Sequence, residues 1–284
     1  MPHAHVTRAR AQVLAGAHKL RELLLDGSEL GAEGGLELAR IARECPRLEV
    51  LSVATCALGS AGIEHLCTAG DALGVLRKLD VRRNALAAPG GAPLGRLVRH
   101  CRALETLRAG HNDLAADGMR AFAAEAGELS ACTSIDVCNN SLGVEGVRAL
   151  VAFLPQCPQL QKLYLEKNGI NSEALAELAR QPMCARLDAL YLGWNGVMCV
   201  PDSREASVDG LAALLDAVRG SPRLRTLSLP YTHLSPAGIK LVLAALPEIP
   251  KLNEVDTSGN FLAGRLYDMP AVVQSCRRWG LALD

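Results

Sequence analysis

Nine times in 284 residues the chain repeats one framework, Leu-x-x-Leu-x-Leu-x-x-Asn-x-Leu. Its first position falls at Leu20, Leu48, Leu76, Leu104, Cys132, Leu160, Leu187, Leu224 and Leu252. The period is therefore 28 residues, with one step of 27 and one of 37. A fixed period in this range means a solenoid, in which a unit too small to bury its own apolar face buries it against its neighbours. The expectation is one domain over residues 1–284. Nine repeats fill residues 20–262, an N-terminal cap covers 1–19 with Val6, Val13 and Leu14, and a C-terminal cap covers 263–284 with Tyr267 and Trp279.

Within a unit the hydrophobic period changes. Lys162-Leu163-Tyr164-Leu165-Glu166 alternates polar and apolar, as a half-buried strand does. Leu163 and Leu165 then face inward, and Lys162, Tyr164 and Glu166 face outward. The column that ends each strand reads Ser28, Cys56, Asn84, Asn112, Asn140, Asn168, Asn195, Thr232 and Asn260. These side chains are small or can hydrogen-bond, and an amide there can satisfy backbone groups that stacking buries. The second half of a unit has helical spacing: Val147, Leu150, Val151 and Leu154 form one stripe, and Pro155 stops it. A glycine recurs four positions after the last framework residue, at Gly34, Gly62, Gly90, Gly118, Gly146 and Gly238, where a close approach of the helix start is expected.

This pattern resembles the ribonuclease-inhibitor-like class of leucine-rich repeat proteins, which includes ribonuclease inhibitor, the Ran GTPase-activating protein and the repeat domains of NOD-like receptors. The resemblance spans residues 20–262. It implies an α/β solenoid shaped as a horseshoe, with parallel strands on the concave side and helices on the convex side. The motif speaks for the fold. Function in such proteins resides in surface residues.

Composition excludes several functions. The chain has 30 basic and 30 acidic residues, so no net field favours nucleic acid or an anionic membrane. No run of 18 apolar residues occurs, and the first residues lack an apolar core of signal-peptide length. Cys45, Cys101, Cys157 and Cys184 share a register with Leu73 and Leu129, so cysteine serves there as a small buried hydrophobe. Reduced thiols point to the cytoplasm, or the nucleus. No Cys-x-x-Cys, phosphate loop, Gly-x-Ser-x-Gly or His-Glu-x-x-His is present. The seven histidines are scattered. Accordingly no catalytic residue, metal site or cofactor is expected.

Strand alternation assigns the outward columns. Two patches emerge. Tyr164 and Tyr191 are neighbours in one column, and Trp194 and Tyr231 in another. These four are most of the chain's six Tyr and Trp residues, gathered into repeats six to eight. They are residue types enriched in binding hot spots. Lys162, Glu166 and Lys167 are expected to rim them. The second patch is charged: Lys78, Asp80, Arg82 and Arg83 of repeat three, Arg108 and His111 of repeat four, and Asp136 of repeat five. Along one column the signs run minus, plus, minus, so cross-strand pairing is expected to neutralise the charges internally.

Repeat seven is nine residues longer than the 28-residue period, with the excess in residues 198–210, MCVPDSREASVDG. Its composition is that of a loop, and insertions in solenoids often mark the binding face. The expectation is a non-enzymatic protein-interaction scaffold that holds a protein partner on the concave face of repeats six to eight and the 198–210 loop. The resemblance supplies two rivals. One is a GTPase activator of the Ran type acting on a small GTPase, although the chain's end, LALD, lacks that family's acidic run. The other is a ligand-sensing module of a larger receptor.

Overall fold

The computed structural model describes residues 17–197 and 207–260. The expected caps, apart from 17–19, and residues 198–206 of the inserted loop lie outside the described residues.

Each repeat contributes one short strand: β1 Glu22–Leu24, β2 Val50–Ser52, β3 Lys78–Asp80, β4 Thr106–Arg108, β5 Ser134–Asp136, β6 Lys162–Tyr164, β7 Ala189–Tyr191, β8 Thr226–Ser228 and β9 Glu254–Asp256. They pair in parallel, in sequence order, as one nine-stranded sheet. The register aligns equivalent framework positions throughout, for example Leu163 with Leu190 and Tyr164 with Tyr191. The strand in repeat six is three residues long, so the polar–apolar alternation through Glu166 outlasts the regular pairing.

Parallel neighbours need a crossover, and here each is helical. The helices are α1 Gly31–Glu44, α2 Gly59–Cys67, α3 Gly91–His100, α4 Ala115–Glu125, α5 Gly143–Phe153, α6 Ser172–Ala179, α7 Asp209–Val218 and α8 Pro236–Ala245. In α5, Val147, Leu150 and Phe153 are buried, and a 3₁₀ turn carrying Pro155 follows. The core lies between the layers and runs through all repeats, built from framework residues such as Leu79, Leu107, Ile135, Leu163 and Leu190. Sheet strands sit about 4.8 Å apart, whereas packed helices need about 8–10 Å. With one helix per strand the stack must curve, strands inside. This is a leucine-rich repeat solenoid of α/β class.

From Asn84 to Asn195 the asparagine column is a continuous buried ladder. Asn168 Nδ2 donates to Val137 O and Leu165 O at 3.0 Å each, while its Oδ1 accepts from Asn140 N at 2.9 Å. Asn112, Asn140 and Asn195 repeat the arrangement. Each amide thereby satisfies backbone groups of its own repeat and of the one before it. Thr232 breaks the series with a hydroxyl that donates to Leu229 O at 2.7 Å.

Glycines bring helix starts into backbone contact. A β-carbon on Gly35 would fall on the carbonyl of Gly62, one on Gly91 on that of Gly118, and one on Gly210 on that of Ser172. The recurring glycines at 34, 62, 90 and 146 also leave room for the framework leucine four residues earlier.

The eight described cysteines are free thiols, six of them buried. Among the described residues no helix is long and apolar enough to cross a membrane.

Candidate functional site

Between each strand and its ladder residue the chain makes a turn that sequence pattern alone does not reveal. The residue just before the ladder position has positive φ in all nine repeats: Gly27, Thr55, Arg83, His111, Asn139, Lys167, Trp194, Tyr231 and Gly259, with φ between 50 and 74°. Left-handed backbone costs a residue bearing a β-carbon roughly 1–2 kcal/mol, and a bulky side chain there is an outlier that asks for a reason. The turn lifts this column out of the sheet plane and presents it to solvent.

Trp194 and Tyr231 occupy that column side by side. Their rings stack at 4.0 Å between centroids, 16° from parallel. Lys167 Nζ sits 4.9 Å from the indole centroid on the other side, a cation–π contact. Tyr231 lies over Gly259, whose position would clash with the phenol ring if it carried a β-carbon. The order along the column is cation, indole, phenol, glycine. Trp194 is 51% exposed and Tyr231 46%, although each ring has one face against the other. Beside them is a depression of about 320 Å³ lined by Trp194, Asn195, Gly196, Tyr231, His233 and Gly259.

Tyr164 and Tyr191 form a second stack on β6 and β7, at 4.4 Å and 3°. Both are half-buried. Burial, with the neighbouring Tyr191, raises the Tyr164 phenol pKa, so it is neutral at physiological pH. Among the described residues no ring contact joins the two stacks.

The expected rim divides. Lys162 and Lys167 are exposed, but Glu166 is half-buried and its Oε2 has no hydrogen-bond partner. Burial raises the Glu166 pKa, and the charge of Asp136 adds to the effect.

In the charged patch, Asp80 is buried. It is gripped by Arg82, whose Nε and Nη2 lie 2.9 and 2.6 Å from its two oxygens. Arg108 approaches the same carboxylate at 3.6 Å. The expected third link is not made: among the described residues Asp136 pairs with no cation. Its Oδ1 accepts from Cys138 N at 3.0 Å, as Asp80 Oδ1 does from Arg82 N at 3.1 Å, but Cys138 offers no cation to the carboxylate. Lys78 and Arg83 are exposed and make no ion pair with described residues. His111 Nδ1 lies 3.1 Å from Asn139 Nδ2. Burial, aided by the Arg83 charge, lowers the pKa of His111 and keeps it neutral.

The continuous ion ladder lies one position earlier in the repeat than the outward columns considered from sequence. Arg21 pairs with Glu49, and Arg77 reaches both Glu49 and Glu105. The alternation Arg21, Glu49, Arg77, Glu105 at 28-residue spacing is the sequence signal of this ladder. Among the described residues no cluster of His, Cys, Asp and Glu could hold a metal ion.

No family model matches the chain. No curated protein matches it either. Among solved structures it is similar to the leucine-rich repeat-containing protein LegL7 from Legionella pneumophila, at 18% identity and a TM-score of 0.47, over 93% of this chain and 92% of that one. At that level the likeness says nothing of a shared partner.

Proposed function

We infer that the chain is a non-enzymatic protein-interaction scaffold of the ribonuclease-inhibitor-like type. It acts as one repeat domain in the cytoplasm or nucleus and holds a protein partner against repeats six to eight and the 198–210 loop. One observation carries this reading: Trp194 and Tyr231 stand exposed and stacked on left-handed backbone, at φ 59 and 53°. Gly27 and Gly259 fill the same position without strain. The left-handed turn is common to all nine repeats, so what sets repeats seven and eight apart is the pair of large, half-exposed rings that they place on it, and exposed apolar patches of this kind mark interaction sites. Stacking fixes their rotamers before any partner arrives, which lowers the entropy lost on binding.

The test is capture from native lysate by the wild-type chain and by Tyr191→Ala with Trp194→Ala. The double variant keeps its cooperative thermal unfolding and captures its partner at least tenfold more weakly. Undiminished capture overturns the site.

A further inference from the structure

The concave wall carries a charge pattern that the neutral total hides. Repeats three to six present Lys78, Arg82, Arg83, Arg108, Lys162 and Lys167 outward, against three carboxylates, Asp80, Asp136 and Glu166. The outward positions of the first two repeats carry only Glu22 and Asp26, and those of the last three only Glu254 and Asp256, with no cation at either end. Depth sharpens the contrast. Asp80 is 7% exposed and held by Arg82, and Glu166 is half-buried. Lys78, Arg83, Arg108, Lys162 and Lys167 stand exposed. Solvent therefore meets a cationic centre whose acids are recessed, flanked by the aromatic ridge and then by acidic repeat nine.

Two polymers fit a cationic track beside aromatics: single-stranded nucleic acid, by base stacking, and an acidic polypeptide. The ring geometry separates them. Trp194 has Lys167 on one face and Tyr231 on the other, and Tyr231 has Trp194 and Gly259. A base could stack on Trp194 only by displacing Lys167 or Tyr231, whereas 51% of Trp194 and 46% of Tyr231 remain exposed to an apolar side chain as they stand. The acids Glu254 and Asp256 would also repel a phosphate chain continuing past the ridge.

We propose that the partner contributes an extended acidic segment lying across the strands, its carboxylates on Lys78, Arg83 and Arg108, and an apolar side chain seated on the Trp194–Tyr231 pair over the adjoining depression. Four strand steps separate Arg83 from Trp194, or about 19 Å, which an extended chain crosses in roughly six residues. This rests on the scaffold reading above and adds the chemistry of the partner.

The probe is a fluorescein-labelled peptide with glutamates at one end and a Leu-Phe pair about six residues away, followed by anisotropy. Three comparisons accompany it: the same peptide with glutamine for glutamate, oligothymidylate, and the variant Lys78→Glu with Arg83→Asp. The variant touches exposed side chains, and Asp tolerates the left-handed backbone at position 83. The acidic peptide binds the native chain, and its affinity falls with added salt. The charge-reversed variant and the glutamine peptide each weaken binding at least tenfold, as does Trp194→Ala. Arg108→Gln, which leaves Asp80 held by Arg82, gives a smaller loss in the same direction. Failure of the acidic peptide to bind, equal binding of the glutamine peptide, indifference to charge reversal, or tighter binding of oligothymidylate overturns the proposal. If any of these occurs while Tyr191→Ala with Trp194→Ala still loses lysate capture, only the acidic partner is wrong. If Trp194→Ala changes neither readout, the scaffold site falls as well.

Discussion

Repeats three and four and repeats seven and eight share one backbone and fill its outward positions with opposite chemistry. In the first pair the buried Asp80 draws in Arg82 and Arg108, so part of the charge is consumed within the wall. In the second pair the side chains satisfy each other by stacking and leave apolar surface in water. Exposed ion pairs contribute little and are readily exchanged, whereas an ordered aromatic ridge in solvent has no internal compensation for its exposure. The same turn thus serves an adaptable polar surface in one place and a fixed apolar one in another. What the two regions have in common, the amide ladder beneath them, sets the positions of both.

Perturbations rank by whether they strike the shared frame or one region's surface. Asn168→Ala strikes the frame. It removes the acceptor for Asn140 N and the donor to Val137 O and Leu165 O in a buried row. The expected loss is about 3 kcal/mol, read from urea denaturation. A loss under about 1 kcal/mol would mean that water replaces the amide and the ladder is dispensable. Removing the aromatic surface with Tyr191→Ala and Trp194→Ala costs at least tenfold in partner capture, or about 1.4 kcal/mol, and leaves unfolding cooperative.

Trp194→Asn sharpens the distinction between stability and function. Asparagine accepts left-handed backbone, so the strain relieved offsets the stacking lost. Stability stays within about 0.5 kcal/mol of the native chain while capture falls. A large destabilisation in thermal melts would make Trp194 a packing residue. The smallest effect belongs to Glu166. Ionising its buried carboxylate costs the folded state, because burial raises its pKa. The penalty is absent below the ordinary glutamate range, where folded and unfolded chains are both protonated, and complete above the raised folded value. Glu166→Gln therefore raises Tm at neutral pH, and the gain vanishes as pH falls below the ordinary glutamate range. An equal gain at every pH would assign the effect to something other than charge.

Much of this was legible from period alone. A 28-residue repeat with leucines at fixed offsets leaves one packing solution, so strands, helices and register follow from it. The aromatic neighbours were legible too, because register turns a sequence offset into adjacency: Tyr164 opposite Tyr191 follows from the alignment of β6 with β7. Three things were not legible in the alternation. The positive φ before each ladder residue is occupied by Thr, Arg, His, Asn, Lys, Trp and Tyr as well as glycine, so composition gives no sign of it. The depth of Glu166, whose Oε2 is buried without a partner, is a property of three-dimensional packing that alternation cannot measure. Among the described residues Asp136 has no cation because residue 138 is Cys where repeat three has Arg82; both aspartates accept from the backbone amide two residues on, but only Arg82 brings a guanidinium with it.

The backbone contacts at Gly35, Gly91 and Gly210 lie on the outer layer, among the helices. Yet in a bent stack the width of the outer layer fixes the bend of the inner one. A single methyl at one of these junctions would wedge two helices apart, tighten the arc, and swing the side chains on either flank of it toward each other. How far Arg83 stands from Trp194, and so the length of polypeptide that can bridge them, is thereby set in part on the convex side, at the Gly91 and Gly210 junctions that lie between their repeats.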